Sequence, residues 1–239
     1  MYDMNPQTRA RLMRVSTATL ATLLYKRGLR NQFIQGVSRL SRHSENMVGP
    51  AFTLRYMPAR EDRNGLEVFR NREHPQRKAV EMCPPGAVMV FDSRKDARAA
   101  SAGGILISRL KERGVAGVVT DGGFRDSAEI AELGIGAFQQ RPSAPTNLTL
   151  HEAIDINVPV GCGDAPVFPG DILVGDADGV IVIPAGIADE VADQAVEMTV
   201  FEDFVMDSVK AGRSILGLYP PTDEQSLKDF EAWRQKNGV

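Results

Sequence analysis

The sequence predicts a mixed α/β fold built in layers, and three observations predict it. Helix-period and strand-like segments alternate through the first half of the 239-residue chain. From Gly134 the texture changes to short apolar runs broken by Pro and Gly, and no Pro/Ser-rich linker separates the halves. With 43% hydrophobic and 25% charged residues the chain can bury a substantial core, so we expect a single domain over residues 1–239.

Each element has its own signal. Leu12, Val15, Leu20, Leu23 and Leu24 recur at helical spacing after Asn5-Pro6 and stop before Gly28, which predicts one opening helix over 7–27. Residues 48–57 alternate as a strand does, and the charged stretch 60–74 reads as a loop or inserted flap. Pro75 begins a short helix, Pro84-Pro85-Gly86 turns the chain, and 87–91 is a buried strand ending at Asp92. Ile105, Leu106, Leu110 and Gly114 mark a helix of about three turns. A strand follows over 115–120, and a second helix starts near Asp126. The runs 136–138, 157–160, 171–174 and 179–183 read as strands, with 141–152 a polar loop between the first two. Pro184 ends the last strand, 186–211 is a long helix with Val191, Ala195, Met198, Phe201, Phe204 and Val205 on one side, and a short tail with Trp233 closes the chain.

Composition excludes several functions. The net charge of -3 comes from 28 basic and 31 acidic residues mixed along the chain, so no basic field attracts nucleic acid. Cys83 and Cys162 are far apart and outside any CxxC pair, which predicts buried, reduced thiols rather than a disulfide or a zinc site. Neither a signal peptide nor a membrane-length apolar run is legible, so we expect a cytoplasmic protein with no membrane partner.

The most informative stretch is Gly103-Gly104-Ile105-Leu106, followed after one helix by Val118-Val119-Thr120-Asp121-Gly122-Gly123-Phe124-Arg125-Asp126. Glycines directly after a buried strand let backbone N–H groups approach a ligand. Arg125 offers a planar fork of donors matched to a carboxylate, and Asp126 offers hard oxygen ligands for Mg²⁺ or Mn²⁺. Together they suit a metal-bound 2-oxo acid. The bland reading of Asp126 is a helix cap.

Other chemistries find less support. No G-x-G-x-x-G opens a helix, no P-loop is present, and 176–179 reads as a hairpin turn rather than a calcium loop. His43, His74 and His151 form no metal-binding pair, although His151 stands in the polar loop where a substrate could be met. Cys162 has no basic partner nearby in sequence, and most of the lysines sit in polar surroundings that leave an imine mechanism without a desolvated amine. Metal-assisted chemistry remains.

In order along the chain, Gly103-Gly104-Ile105-Leu106, the block ending Asp121-Gly122-Gly123-Phe124-Arg125-Asp126, Asn157-Val158-Pro159-Val160, Phe168-Pro169-Gly170-Asp171 and Gly175-Asp176-Ala177-Asp178-Gly179 resemble the RraA-like family. That family contains the regulator of ribonuclease E activity and class II aldolases of 4-hydroxy-4-methyl-2-oxoglutarate and 4-carboxy-4-hydroxy-2-oxoadipate. The likeness covers about residues 45–215 and leaves 216–239 as a tail. It implies a three-layer β/β/α sandwich like that of swivelling phosphohistidine domains, assembled as a homotrimer or homohexamer with active sites between subunits.

It also implies roles. Arg125 would grip the pyruvoyl carboxylate, Asp126 would hold Mg²⁺, and Gly103, Gly104, Ile105 and Leu106 would complete the substrate pocket. Glu202, with Glu197 as the second choice, would reach the metal waters from the long helix of a neighbouring subunit. Aldolase members carry an acid where this chain has Gly104, so either another carboxylate such as Asp92 or Asp96 substitutes, or the site treats its substrate differently, or catalysis is weak. The implied activity is a lyase splitting a 4-hydroxy-2-oxo acid into pyruvate and a carbonyl product, with oxaloacetate decarboxylation beside it. The alternatives are a non-catalytic trimeric regulator of an RNA-processing enzyme and a dehydratase of sugar-derived 2-keto acids.

Overall fold

The computed structural model describes residues 4–42 and 45–239, so His43 lies outside the described residues. In chain order the elements are α1 (Pro6–Leu12), α2 (Thr17–Lys26), β1 (Ser38–Arg39), β2 (Met47–Pro58), α3 (Pro75–Met82), β3 (Val88–Asp92), β4 (Ala100–Ala102), α4 (Gly104–Glu112), β5 (Gly117–Thr120), β6 (Gly123–Phe124), α5 (Ser127–Glu132), β7 (Gly136–Gln139), β8 (His151–Ile156), β9 (Val160–Cys162), β10 (Ala165–Val167), β11 (Ile172–Gly175), β12 (Val180–Ile183), α6 (Ala188–Lys210) and α7 (Glu224–Asn237). The mixed α/β architecture is the one expected, with an eight-stranded sheet in the order β1-β7-β5-β3-β2-β11-β12 and β8 also paired to β2.

Side-chain alternation builds the layers. In β3, Met89 and Phe91 face the helices α3, α4 and α5, packing with Val80, Ile107, Leu110 and Ile130. Val88 and Val90 point the other way, onto Val160, Cys162, Ala165 and Val167 of the β9–β10 hairpin. Val180 and Val182 from the far end of the sheet join that second cluster, so the sheet curls around it. The opposite sides of β11 and β12, through Ile172, Val174, Ile181 and Ile183, pack on α1, α2 and α6. Strands β3 and β5 are buried at every position, as expected of parallel strands covered on both faces.

Three expectations need correction. The predicted opening helix is two helices, because the Ser16 hydroxyl accepts the Thr19 N–H and caps a new start after the chain turns at 13–16. The predicted polar loop 141–152 runs at its end into β8 (His151–Ile156), which pairs antiparallel with β2, so His151 and Glu152 are strand residues. The tail contains α7, whose Phe230 and Trp233 pack on Phe201 and Phe204 of α6. Asp176 to Gly179 makes the turn between β11 and β12 as expected, and the Asp176 carboxylate binds the N–H and hydroxyl of Thr17. Cys83 and Cys162 are free and buried, and burial pushes the Cys83 thiol up to about 12. Among the described residues no helix is long and apolar enough to cross a membrane.

Candidate active site

Two short parallel strands, β4 and β6, lie side by side, and each hands the chain to the start of a helix. After β4 comes Gly103 and then α4; after β6 come Arg125, Asp126 and then α5. The Arg125 N–H donates to the Ala102 carbonyl (3.1 Å), which locks the two starts together. Behind them Gln76 Nε2 and the Tyr56 hydroxyl both donate to the Ser101 carbonyl, at 2.8 and 2.7 Å, and hold β4 in place.

Asp126 is the unusual residue. Its backbone is left-handed (φ 61°, ψ 38°), a conformation that a non-glycine residue adopts at a cost. Its side chain makes no cap to its own helix α5. Instead Asp126 Oδ2 accepts the Gly104 N–H (3.0 Å), so the carboxylate caps the neighbouring helix α4. The capping reading was right in kind and assigned to the wrong helix. Asp126 Oδ1 has no hydrogen-bond partner among the described residues, and Arg125 Nε lies 3.7 Å from Asp126 Oδ2. Both side chains reach solvent, at 47% and 37% exposure.

The glycines frame this pair by leaving room. A Cβ on Gly103 would stand 2.7 Å from Arg125 Cγ and 3.0 Å from Asp126 Oδ2. On Gly104 it would meet Asp126 Cβ and Glu129 Oε2, each at 3.2 Å. Gly122 and Gly123 do something else: they are buried against Ser93, Ser101 and the Arg141 carbonyl, so they serve packing rather than approach to a ligand.

Gly103, Ile105, Leu106, Arg125 and Asp126 line one cleft of about 220 Å³. Gly104 sits behind it, and Ile105 projects from α4 with 86% of its surface exposed. The size suits a small acid, falling below the roughly 300–1,000 Å³ of sites for drug-sized ligands. The 60–74 segment and the 141–152 loop supply the rim through Phe69, Thr146 and Asn147, together with Arg77 of α3. None of these four carried a signal in the sequence. Among the described residues no lysine lines the cleft.

Several candidates lie elsewhere. Glu202 accepts hydrogen bonds from Thr19 Oγ1 (2.7 Å) and the Tyr219 hydroxyl (3.2 Å), and Glu197 pairs with Arg234 (3.3 Å), so neither joins the cleft within one chain. Asp92 is buried beneath β9, and burial raises its pKa against the Arg94 and Gly161 N–H groups. Asp96 is bound by Arg98, which pulls its pKa down to about 2. Neither stands in for an acid at 104; the carboxylate beside that position is Glu129, one turn into α5. His151 is fully buried. Its Nδ1 accepts from Arg94 Nη2 (3.1 Å), so Nε2 carries the proton and donates to the Asp96 carbonyl (3.0 Å), with the pKa lowered by burial and by Arg94. His151 is a packing residue and does not meet the cleft.

Asp121 supports the turn before the site. It is 1% exposed and accepts three backbone N–H groups: Ser93 (2.7 Å), Lys95 (3.0 Å) and Gly163 (3.2 Å). These bonds hold Arg94 and Lys95 in consecutive left-handed conformations. Burial nevertheless raises its pKa to about 6, helped by Asp92. In Asp121→Asn an amide NH₂ faces some of those donors, and a loss of about 2–4 kcal/mol is expected, from one or two unsatisfied buried groups at ~1–3 each. Because the folded pKa lies above the ordinary 3.8, the wild-type carboxyl contributes stability that is full below 3.8 and lost as pH rises through about 6. The deficit of Asp121→Asn should therefore grow on acidification from about pH 7 to about pH 4, as read by chemical denaturation.

Together these features make an α/β protein with a glycine-framed cleft in which a guanidinium and a carboxylate stand side by side at two helix starts. The RraA-like family (Aldolase/RraA) matches residues 17–182, and the chain belongs to it. A Halalkalibacterium halodurans protein provisionally named a 4-hydroxy-4-methyl-2-oxoglutarate aldolase is 35% identical over 152 residues, 64% of this chain and 66% of that one. The Thermus thermophilus 4-hydroxy-4-methyl-2-oxoglutarate aldolase is 32% identical over 108 residues, 45% of this chain and 65% of that one. The chain thus spans just under two thirds of the length of these two curated relatives. The structure of Streptomyces coelicolor RraAS2, described as an unusual member of the RNase ES inhibitor RraA protein family, superposes with a TM-score of 0.75 at 29% identity, covering 85% of this chain and 98% of that one.

Proposed function

We propose that the chain is a divalent-metal-dependent lyase that cleaves a 4-hydroxy-2-oxo acid to pyruvate and a carbonyl product and also decarboxylates oxaloacetate. The observation that carries this reading is Asp126, held in a costly backbone conformation with one oxygen anchored on α4 and the other open to the cleft beside Arg125. That conformation turns the carboxylate away from its own helix and toward α4 and the cleft, where Arg125 stands beside it.

The donor set fits Mg²⁺ or Mn²⁺. Magnesium binds through one or two carboxylates and completes its shell with waters and substrate oxygens, and Asp126 supplies one such carboxylate in the cleft wall. A bound cation would supply Lewis acidity at the 2-keto oxygen. The protein's own part is to bind and orient. Arg125 receives the substrate carboxylate on its fork and adds positive charge beside the pyruvate enolate that forms when the C3–C4 bond breaks, its electron pair passing into the C2 ketone as the 4-hydroxyl gives up its proton and becomes the carbonyl of the other product. The rim of Phe69, Thr146 and Asn147 limits the water around it. Proton transfer falls to water steered by carboxylates, since no histidine lines the cleft among the described residues. Glu202 is assigned to this role from a neighbouring protomer of a homotrimer or homohexamer.

The names of the aldolase relatives support this reading, and the RraAS2 likeness supports a rival in which the chain docks on an RNA-processing enzyme. A docking surface gives no reason for a guanidinium and a carboxylate side by side in a glycine-framed cleft. The test is pyruvate release from oxaloacetate by the full chain. We expect activity with Mg²⁺ that EDTA abolishes and added metal restores. Metal-independent turnover trapped by borohydride would replace the proposal with an imine mechanism, and no turnover on any 2-oxo acid would favour the rival.

A further inference from the structure

Resting on the 2-oxo acid reading, we propose that Arg77 is a specificity-determining residue, the receptor for a second carboxylate at the far end of the substrate, so that the cleft selects 2-oxo dicarboxylic acids over monocarboxylic ones.

Arg77 lines the same cleft as Arg125 and projects from the exposed face of α3. Its guanidinium lies over the Phe69 ring, 4.3 Å from the centroid. Phe69 is in turn set edge-on against the His74 ring, with centroids 5.1 Å apart. His74 is 8% exposed, and burial and the Arg77 charge lower its pKa against a raising pull from Glu152. Stacking occupies the face of a guanidinium and leaves its N–H edges free to bind a carboxylate with two parallel bonds.

No carboxylate of the described chain takes that place. The acids one turn away on either side, Glu73 and Glu81, are already paired, Glu73 with Lys78 and Glu81 with Arg109 and Arg113. The charged side chains in the cleft wall are Arg77, Arg125 and Asp126, and Arg125 stands next to Asp126. With a substrate held by Arg125 through its first carboxylate and by a cation near Asp126 through its keto oxygen, Arg77 is, among the described residues of the cleft wall, the cation left without an anion. A monocarboxylic acid would leave it so. A dicarboxylic acid would pair it inside a small, partly dry cleft, where a charged bond is stronger than in open water. The ring that positions Arg77 belongs to the 60–74 segment, which gives that segment its function.

The test separates this inference from the reading beneath it by measuring binding without turnover. Titration calorimetry in Mg²⁺ compares 2-oxoglutarate, which carries the distal carboxylate, with 2-oxobutyrate, which lacks it, on wild type, Arg77→Met and Phe69→Leu. We expect wild type to bind 2-oxoglutarate about tenfold or more tightly than 2-oxobutyrate, the gain of one charge-assisted pair. Arg77→Met should abolish that preference, and Phe69→Leu should reduce it. A wild type without the preference, or an Arg77→Met variant that keeps it, overturns the assignment while 2-oxobutyrate binding still upholds the 2-oxo acid reading. If neither acid binds wild type, the reading and the assignment fall together.

Discussion

Arg125→Lys is expected to lower kcat/KM for pyruvate release by about a hundredfold or more, the scale of losing one oriented donor to developing charge. The charge survives the substitution, so the loss measures geometry. A guanidinium presents two coplanar N–H groups that match both oxygens of a carboxylate, whereas an ammonium on a flexible stem binds as a point. The stem of Arg125 is also positioned: Gly103 leaves its Cγ a path that a Cβ would block at 2.7 Å. Folding should be unaffected, because the side chain is 47% exposed and its ion pair with Asp126 is loose at 3.7 Å. Steady-state assays beside chemical denaturation check both statements. Near-normal turnover in Arg125→Lys would remove Arg125 from the mechanism.

Asp126→Gly should separate function from stability more sharply. The left-handed conformation costs a non-glycine residue about 1–2 kcal/mol, which glycine relieves. Against that, the variant loses the bond from the Gly104 N–H and a negative charge at the start of α4, together about 1–2 kcal/mol. The terms nearly cancel, so folding stability should stay within about 1 kcal/mol of wild type. Activity should fall by about a hundredfold or more and the response to Mg²⁺ should disappear, because the open carboxylate oxygen is gone. Should Asp126→Gly instead unfold the protein with activity per folded molecule preserved, Asp126 would be a structural cap and no more.

How much of this was legible in the sequence depends on whether a feature is local. The strand 87–91, the helix from Pro75 and the long helix near 186–211 are all written in neighbouring residues, and the structure places them as read. The break at Ser16 was written as well, in a hydroxyl three residues before Thr19, but the apolar spacing of Leu12, Val15 and Leu20 continues across it and hides the stop. The rim of the cleft was not legible. Phe69 and Asn147 come from segments with no periodic pattern, and only their tertiary meeting with α3 and β4 gives them a place. Glu129 illustrates the same limit: it follows Asp126 by one helical turn, yet its nearness to Gly104 depends on α4 and α5 starting side by side. His151 shows the reverse error, since polar sequence around it suggested a substrate loop while β8 carries it into a buried bond with Arg94.

The central claim is that Arg125 and Asp126 jointly hold a 2-oxo acid and its cation, and a crystal structure with Mg²⁺ and oxalate, a mimic of the pyruvate enolate, tests it most directly. The account predicts oxalate on the Arg125 fork, chelating a Mg²⁺ that is bound to the open oxygen of Asp126. Oxalate and Mg²⁺ bound elsewhere, or a cleft left empty at saturating concentrations of both, would contradict it.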